Sequence, residues 1–259
     1  MKAIILAGGS GERLRPYTEN LPKGMLEFDG KTLIERQIDL YRNNGIGDIT
    51  IATGYRADRI DYPDVNYAHN PNYSSTNMVE TMLSARSALI GDVIVSYADI
   101  VFEERVLQYV LKDRSDVGVL VDTAWKDYWV MRYGDTHTDI EGLRLDEKGK
   151  VIEIGKPEDS DDNIDGRYVG LIKFSPRGAE RFLSVYDRAK ALFWDKPWQT
   201  SRTFQRAYMT DMLQALVDDG QEVRAIKIEH GWLEFDTVED YEKFVRLKEN
   251  GLLRGFFSS

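Results

Sequence analysis

Residues 1–26 read MKAIILAGGSGERLRPYTENLPKGML. Residues 2–7 form a strand-type run, apolar from Ala3 onward, as expected of a central parallel strand covered on both faces. The run passes directly into Gly8, Gly9 and Gly11 and then meets Arg13, Arg15 and Lys23. Glycines accept φ > 0 and let the backbone approach a ligand closely, so that successive N–H groups can point at phosphate oxygens. Cations just beyond such a loop suit a triphosphate. Two known glycine patterns are excluded: Lys23 lies between Pro22 and Gly24, which breaks the Walker spacing, and Leu14 stands where a dinucleotide fingerprint needs its third glycine.

Outward from this stretch the chain alternates. TLIERQIDLYRNNG has helical spacing, with Leu33, Ile34, Ile38 and Tyr41 on one face and Gly45 as its stop. IGDITIATGY reads as a second strand, residues 76–89 as a helix, GDVIVSYAD as a third strand, 103–113 as a helix and VGVLVD as a strand. This alternation predicts an α/β fold with a doubly wound, mostly parallel, Rossmann-like mixed sheet flanked by helices. Ligands in such sheets bind at the carboxyl ends of strands, where the glycine loop, Tyr55 and Asp99 fall. Residues 122–170 break the pattern with dense aromatics and two short strand-like pieces, GLRLD and VIEIG, around a turn at Asp146 to Gly149. They are expected to form a small inserted lobe. GRYVGLIKFS returns to a strand, a helix follows with Ser175 as cap and Pro176 in its first turn, 204–219 is another helix, and the last segment gives strand, turn, short strand and helix. One domain spanning residues 1–259 is expected, with 122–170 as a lobe within it.

Composition narrows the classes of function. The 259 residues carry 34 Lys plus Arg against 44 Asp plus Glu, a formal charge of −10, with no basic tract. Nucleic acid and anionic membrane surfaces are poor partners for such a chain. No cysteine is present, which excludes disulfides, thiolate nucleophiles and cysteine-held zinc. No apolar run approaches the length of a membrane span, and a cytoplasmic location is the default expectation. Oligomeric state stays open between a monomer and a homo-oligomer.

The opening resembles the signature of nucleotidyltransferases that activate sugar phosphates and related small phospho compounds, L-A-[AG]-G-x-G-[ST]-R-L-x-P-L-T followed by P-K. Leu6, Ala7, Gly8, Gly9, Gly11, Arg13, Leu14, Pro16, Thr18, Pro22 and Lys23 match it, while Glu12, Tyr17 and Gly24 depart from it. The resemblance implies that an aspartate at the end of the third strand, here Asp99, binds the catalytic Mg²⁺. It implies a second metal ligand from GWLEFDTVEDY, where Asp236, Thr237 and Asp240 fit W-x-[DE]-[IV]-D-T-x-x-D-[YL]. Two carboxylates with phosphate oxygens and water suit octahedral Mg²⁺. In this resemblance Arg13 holds the β and γ phosphates and Lys23 the reacting phosphoryl groups. Leu6, Ala7, Gly8, Gly9 and Gly11 line the nucleotide, and Tyr55, Thr76 and Asn77 come near its base. An acceptor phosphate is already an anionic nucleophile, so no strong general base is required. His69, His137 and His230 indeed lie in no recognisable triad context.

The acceptor is read from the lobe. Trp125, Tyr128, Trp129, Arg132 and Tyr133 fall within nine residues, with Glu141, Lys156 and Tyr168 following. Aromatics with carboxylates suit an ammonium group through cation–π attraction and charge pairing. The pattern is similar to the cytidylyltransferase branch that acts on phosphocholine, aminoalkylphosphonates and other small amine-bearing phospho compounds. Trp125, Trp129, Arg132, Glu141, Lys156 and Tyr168 are therefore the expected acceptor residues and CTP the expected nucleotide, with pyrophosphate released. A sugar-1-phosphate uridylyl- or thymidylyltransferase is the alternative with the same chemistry. A silent nucleotide-binding regulatory subunit is the alternative of another class, against which stand Arg13, Lys23, Asp99 and Asp236 together.

Overall fold

The computed structural model describes residues 1–162 and 164–258. Its first half runs β1 (Lys2–Ala7), β2 (Glu27–Phe28), β3 (Lys31–Thr32), α1 (Leu33–Asn43), β4 (Ile49–Thr53), β5 (Asn66–His69), α2 (Met78–Ser84), β6 (Val93–Tyr97), β7 (Ile100–Phe102) and α3 (Glu104–Lys112). Then come β8 (Val117–Asp122), α4 (Trp125–Tyr133), β9 (Glu141–Leu145), β10 (Val151–Pro157), β11 (Arg167–Phe174) and α5 (Pro176–Phe193). The chain ends with α6 (Met209–Asp218), β12 (Val223–Ile228), β13 (Trp232–Glu234) and α7 (Val238–Glu249).

Seven strands form the main sheet in the order β12-β8-β11-β6-β1-β4-β5. Only β11 runs against its neighbours; the remaining pairs are parallel. The apolar run of β1 serves both faces, as its composition requires. Ala3 and Ile5 pack with Leu33, Ile34 and Ile38 of α1, whereas Ile4 and Leu6 pack with Val79 and Met82 of α2. Thr32 caps α1 by accepting from the Glu35 N–H, and Ser175 caps α5 through the Gly178 N–H with Pro176 at the first position. These caps fix where both helices begin.

Several boundaries differ from the sequence reading. The helix expected over 76–89 begins at Met78 and gives way after Ser84 to a 3₁₀ turn at Arg86–Ala88. The 204–219 helix is likewise a 3₁₀ turn, Phe204–Arg206, followed by α6. Edge strand β5 was not expected, because its largely exposed residues carry no apolar alternation. Helix α4 was also missed, although Trp125, Tyr128, Trp129 and Arg132 follow the i, i+3, i+4, i+7 spacing of a buried face. Within 122–170 the two expected strand-like pieces are β9 and β10, which pair antiparallel, while β11 starts at Arg167 and lies in the main sheet between β8 and β6. Among the described residues no helix is long and apolar enough to cross a membrane.

Candidate active site

The carboxyl end of β1 opens into the glycine loop. Gly11 has φ +62°, a left-handed conformation that starts the 3₁₀ turn Glu12–Leu14, and its carbonyl accepts from Thr18 Oγ1 at 2.6 Å. Glu12, the departure that puts a carboxylate beside a triphosphate loop, is largely exposed and sits 3.8 Å from Arg15. Lys23 begins a second 3₁₀ turn, Lys23–Met25, whose cap residue is Pro22.

Tertiary pairing then supplies the carboxylates. β7 and β13 pair antiparallel with Ile100 opposite Glu234, and the Phe235 N–H donates to the Asp99 carbonyl at 2.9 Å. Asp99 precedes β7 and Asp236 follows β13, so two residues 137 positions apart meet across this small ribbon. The Lys23 ammonium lies between them, 2.6 Å from Asp99 Oδ2 and 2.7 Å from Asp236 Oδ1. Arg13 takes the other oxygen of Asp236 at 2.5 Å. Burial pushes the Lys23 pKa down, but Asp99, Asp236 and Glu234 outweigh it and hold the ammonium above the ordinary lysine value. Burial pushes Asp236 up, yet Lys23 and Arg13 hold it below the ordinary carboxylate value.

The second oxygen of Asp99, Oδ1, is buried and has no hydrogen-bond partner. An orphaned carboxylate oxygen is costly unless something cationic or protic reaches it. Hard oxygen donors from Asp99 and Asp236 at the mouth of a phosphate-type loop fit a divalent cation that shares its shell with phosphate.

A cavity of about 130 Å³ lies beside these groups. Its lining includes Leu6, Ala7, Gly8, Gly9, Lys23 and Asp99 together with Tyr73, Thr76, Asn77, Met78, Thr81 and Tyr97. Of the expected nucleotide residues, Gly11, Arg13 and Tyr55 are outside this lining. The Tyr55 N–H donates to the Gly8 carbonyl at 3.1 Å and its phenol to the Glu19 carbonyl at 2.8 Å, so it braces the loop, and the rings on the cavity are Tyr73 and Tyr97. A Cβ at Gly8 would stand 2.7 Å from the Thr81 side chain, which explains glycine where β1 and α2 meet.

The expected acceptor residues divide. Trp125, Trp129 and Arg132 are buried in the packing around α4 and none lines the cavity. Arg132 binds Asp240 through Nε at 2.7 Å and Nη2 at 2.8 Å, and Glu234 through Nη1 at 2.5 Å. Asp240 also completes the capping box of α7 with Thr237, so Arg132 fastens the turn that carries Asp236. Lys156 is exposed and pairs with Glu153. Tyr168 is nearer the chemistry: its ring meets Tyr97 of the cavity edge to face at 5.9 Å, and the charges of Glu141 and Asp99 add to burial in raising its pKa. Glu141 itself is raised, first by desolvation and then by Asp139 and Glu234 against the pull of Arg167. Glu234 was missed in the sequence. It is raised by desolvation and by Asp236 and Asp99. Its signal was available: Glu234 and Asp236 are two apart at the end of a strand, and alternate residues share a face.

A phosphate-type loop, a lysine between two strand-end aspartates and an adjoining cavity at the carboxyl edge of an α/β sheet define a nucleotidyltransferase. The chain belongs to the family of the MobA-like NTP transferase domain, whose model matches residues 3–161. It is similar to a CTP:phosphoglutamine cytidylyltransferase of Campylobacter jejuni, 32% identical over 93% of this chain and 98% of that protein. A choline-phosphate cytidylyltransferase of Streptococcus pneumoniae is 26% identical over 96% and 99% of the two chains. Among solved structures, the CTP:phosphocholine cytidylyltransferase LicC from Streptococcus pneumoniae superimposes with a TM-score of 0.72 at 25% identity, covering 95% of this chain and 98% of that one.

Proposed function

We propose that this nucleotidyltransferase is a Mg²⁺-dependent cytidylyltransferase. It joins CTP to a small phosphate- or phosphonate-bearing acceptor with an amine or amino-acid character and releases pyrophosphate. The observation that carries the reading is Lys23 held between Asp99 and Asp236 beside the glycine loop. The relatives that use CTP on phosphoglutamine and choline phosphate support the choice of nucleotide and acceptor class.

The chain's own groups account for most of the chemistry. Backbone N–H groups from Gly8 to Gly11 cradle phosphate oxygens, and Arg13, with its guanidinium largely exposed, reaches the outer phosphates. Lys23 transfers its hydrogen bonds from the aspartates to the reacting phosphoryl group, where developing charge is met by a donor already in place. Asp99 and Asp236 would hold Mg²⁺. When bound, that ion supplies charge neutralisation on the phosphates. The acceptor oxyanion attacks the α-phosphorus, its new P–O bond forms as the bond to the bridging oxygen of pyrophosphate breaks, and no proton need be removed first. On the acceptor side, Tyr97, Tyr168 and Glu141 form a surface of rings and negative charge that favours an ammonium group.

Pyrophosphate release tests the reading, with CTP, UTP, dTTP, ATP and GTP crossed against phosphocholine, 2-aminoethylphosphonate, a phosphorylated amino acid and several sugar-1-phosphates in Mg²⁺. Turnover with CTP and an amine-bearing acceptor is the expected result. Turnover confined to a sugar phosphate would overturn the acceptor assignment, and silence in every pairing would overturn catalysis of this type.

A further inference from the structure

The cavity lining contains two threonines whose hydroxyl protons are already committed. Asn70 is 4% exposed and follows β5. Its Oδ1 accepts from the Asn72 N–H at 3.0 Å. A backbone N–H can only donate, so this bond fixes the orientation of the Asn70 amide and turns Nδ2 toward the threonines. Nδ2 donates to Thr76 Oγ1 at 3.0 Å and to Thr81 Oγ1 at 3.1 Å. Each hydroxyl then sends its own proton to a carbonyl, which can only accept: Thr76 to Asn72 O at 2.8 Å, and Thr81 to Asn77 O at 3.4 Å.

A hydroxyl has one proton and two acceptor sites. Here the proton and one acceptor site are used on both residues, and what remains on each is a single lone pair. Both residues line the cavity. We propose that Thr76 and Thr81, oriented by Asn70, form an acceptor-only wall that selects a nucleobase by its exocyclic amino group. The reading deepens the cytidylyltransferase assignment and rests on it. Cytosine offers the N4 amino group to such a wall, whereas uracil and thymine present the O4 carbonyl and meet lone pair with lone pair. For either hydroxyl to donate to O4, it must give up its bond to a backbone carbonyl, so uracil or thymine gains one hydrogen bond only by losing another, whereas cytosine gains one outright. Thr76 contributes more than Thr81, because its proton is held at 2.8 Å rather than 3.4 Å. Asn70 is a positioning residue that acts through both.

The test is calorimetric binding of CTP, UTP and ATP with Mg²⁺ to the whole chain and to the variants Thr76→Ser, Thr76→Val, Thr81→Val and the Val double variant. The expected result is a CTP over UTP preference that falls about tenfold in Thr76→Val, less in Thr81→Val and furthest in the double variant. Thr76→Ser keeps the hydroxyl and keeps the preference. A purely structural threonine would lower affinity for all nucleotides together and leave the ratio in place. An unchanged CTP to UTP ratio in the double variant, with CTP still bound, overturns the wall. Tight ATP binding with rejection of UTP upholds the wall and overturns the choice of cytidine. Failure of the unaltered chain to bind any triphosphate overturns the cytidylyltransferase reading and the wall with it.

Discussion

Replacing Lys23 with methionine removes the shared cation and leaves two carboxylates facing one another. Their oxygens, each on the same ammonium at 2.6 and 2.7 Å, stand no more than about 5 Å apart. At an effective dielectric near 20, like charges at that separation repel by about 3 kcal/mol. The side chains of Lys23, Asp99 and Asp236 are all less than one-fifth exposed, so solvent screens this little, and Arg13 remains on only one of the two carboxylates. A loss of about 3 kcal/mol agrees with the usual cost of breaking a buried pair by removing one partner. For a chain of this size it corresponds to a fall of about 6 to 12 °C in melting temperature.

The assay is thermal unfolding of Lys23→Met and the unaltered chain in chelator, then in rising Mg²⁺. A divalent ion can replace the missing charge, so Mg²⁺ should raise the melting temperature of the variant more than that of the unaltered chain. The pH dependence has a definite sign. Asp236 titrates below its unfolded value, so its contribution is present above about pH 4 and disappears as pH falls through the lower folded value. Lys23 titrates above its unfolded value, so its contribution is complete below about pH 10 and disappears as pH rises through the higher folded value. The gap between the two proteins should be widest near neutrality and close toward acid. Equal melting temperatures in chelator, or a gap that persists unchanged at pH 3, would refute the account of Lys23 as the cation that holds this site together.

Further outcomes follow from individual contacts. Arg132→Met should lose about 3 to 5 kcal/mol in urea unfolding, since it strands buried Asp240, and Arg132→Lys should recover little because the bond to Asp240 is bidentate. Gly170→Ala should cost about 2 kcal/mol by the same measurement, because φ is +84° and the new Cβ would lie 2.6 Å from the Tyr97 ring. Gly8→Ala should lower triphosphate affinity about tenfold in calorimetry by pushing Thr81 from its place, and cost about 1 to 3 kcal/mol in unfolding; unaltered affinity would refute the close fit of loop and helix. Lys23→Ala should reduce turnover about a thousandfold in the pyrophosphate assay, and near-normal kcat would overturn its role.

The alternation of strands and helices, the two-faced burial of β1, the caps of α1 and α5 and the glycine loop are legible in the chain alone, because each depends on residues within a few positions of one another. Asp99 and Asp236 could be named from motifs as well. What local pattern could not carry was contact between distant segments. The β7–β13 pairing that brings the two aspartates together joins stretches more than a hundred residues apart, and no periodicity in either encodes the partner. The tryptophans and Arg132 of α4 have the composition of a cation-binding surface, yet packing against β13 and α7 turns them into the interior that fastens Asp236. The polarity of the cavity wall likewise exists only once Asn70, Thr76 and Thr81 meet, since a threonine hydroxyl donates or accepts according to which neighbours have already claimed its proton.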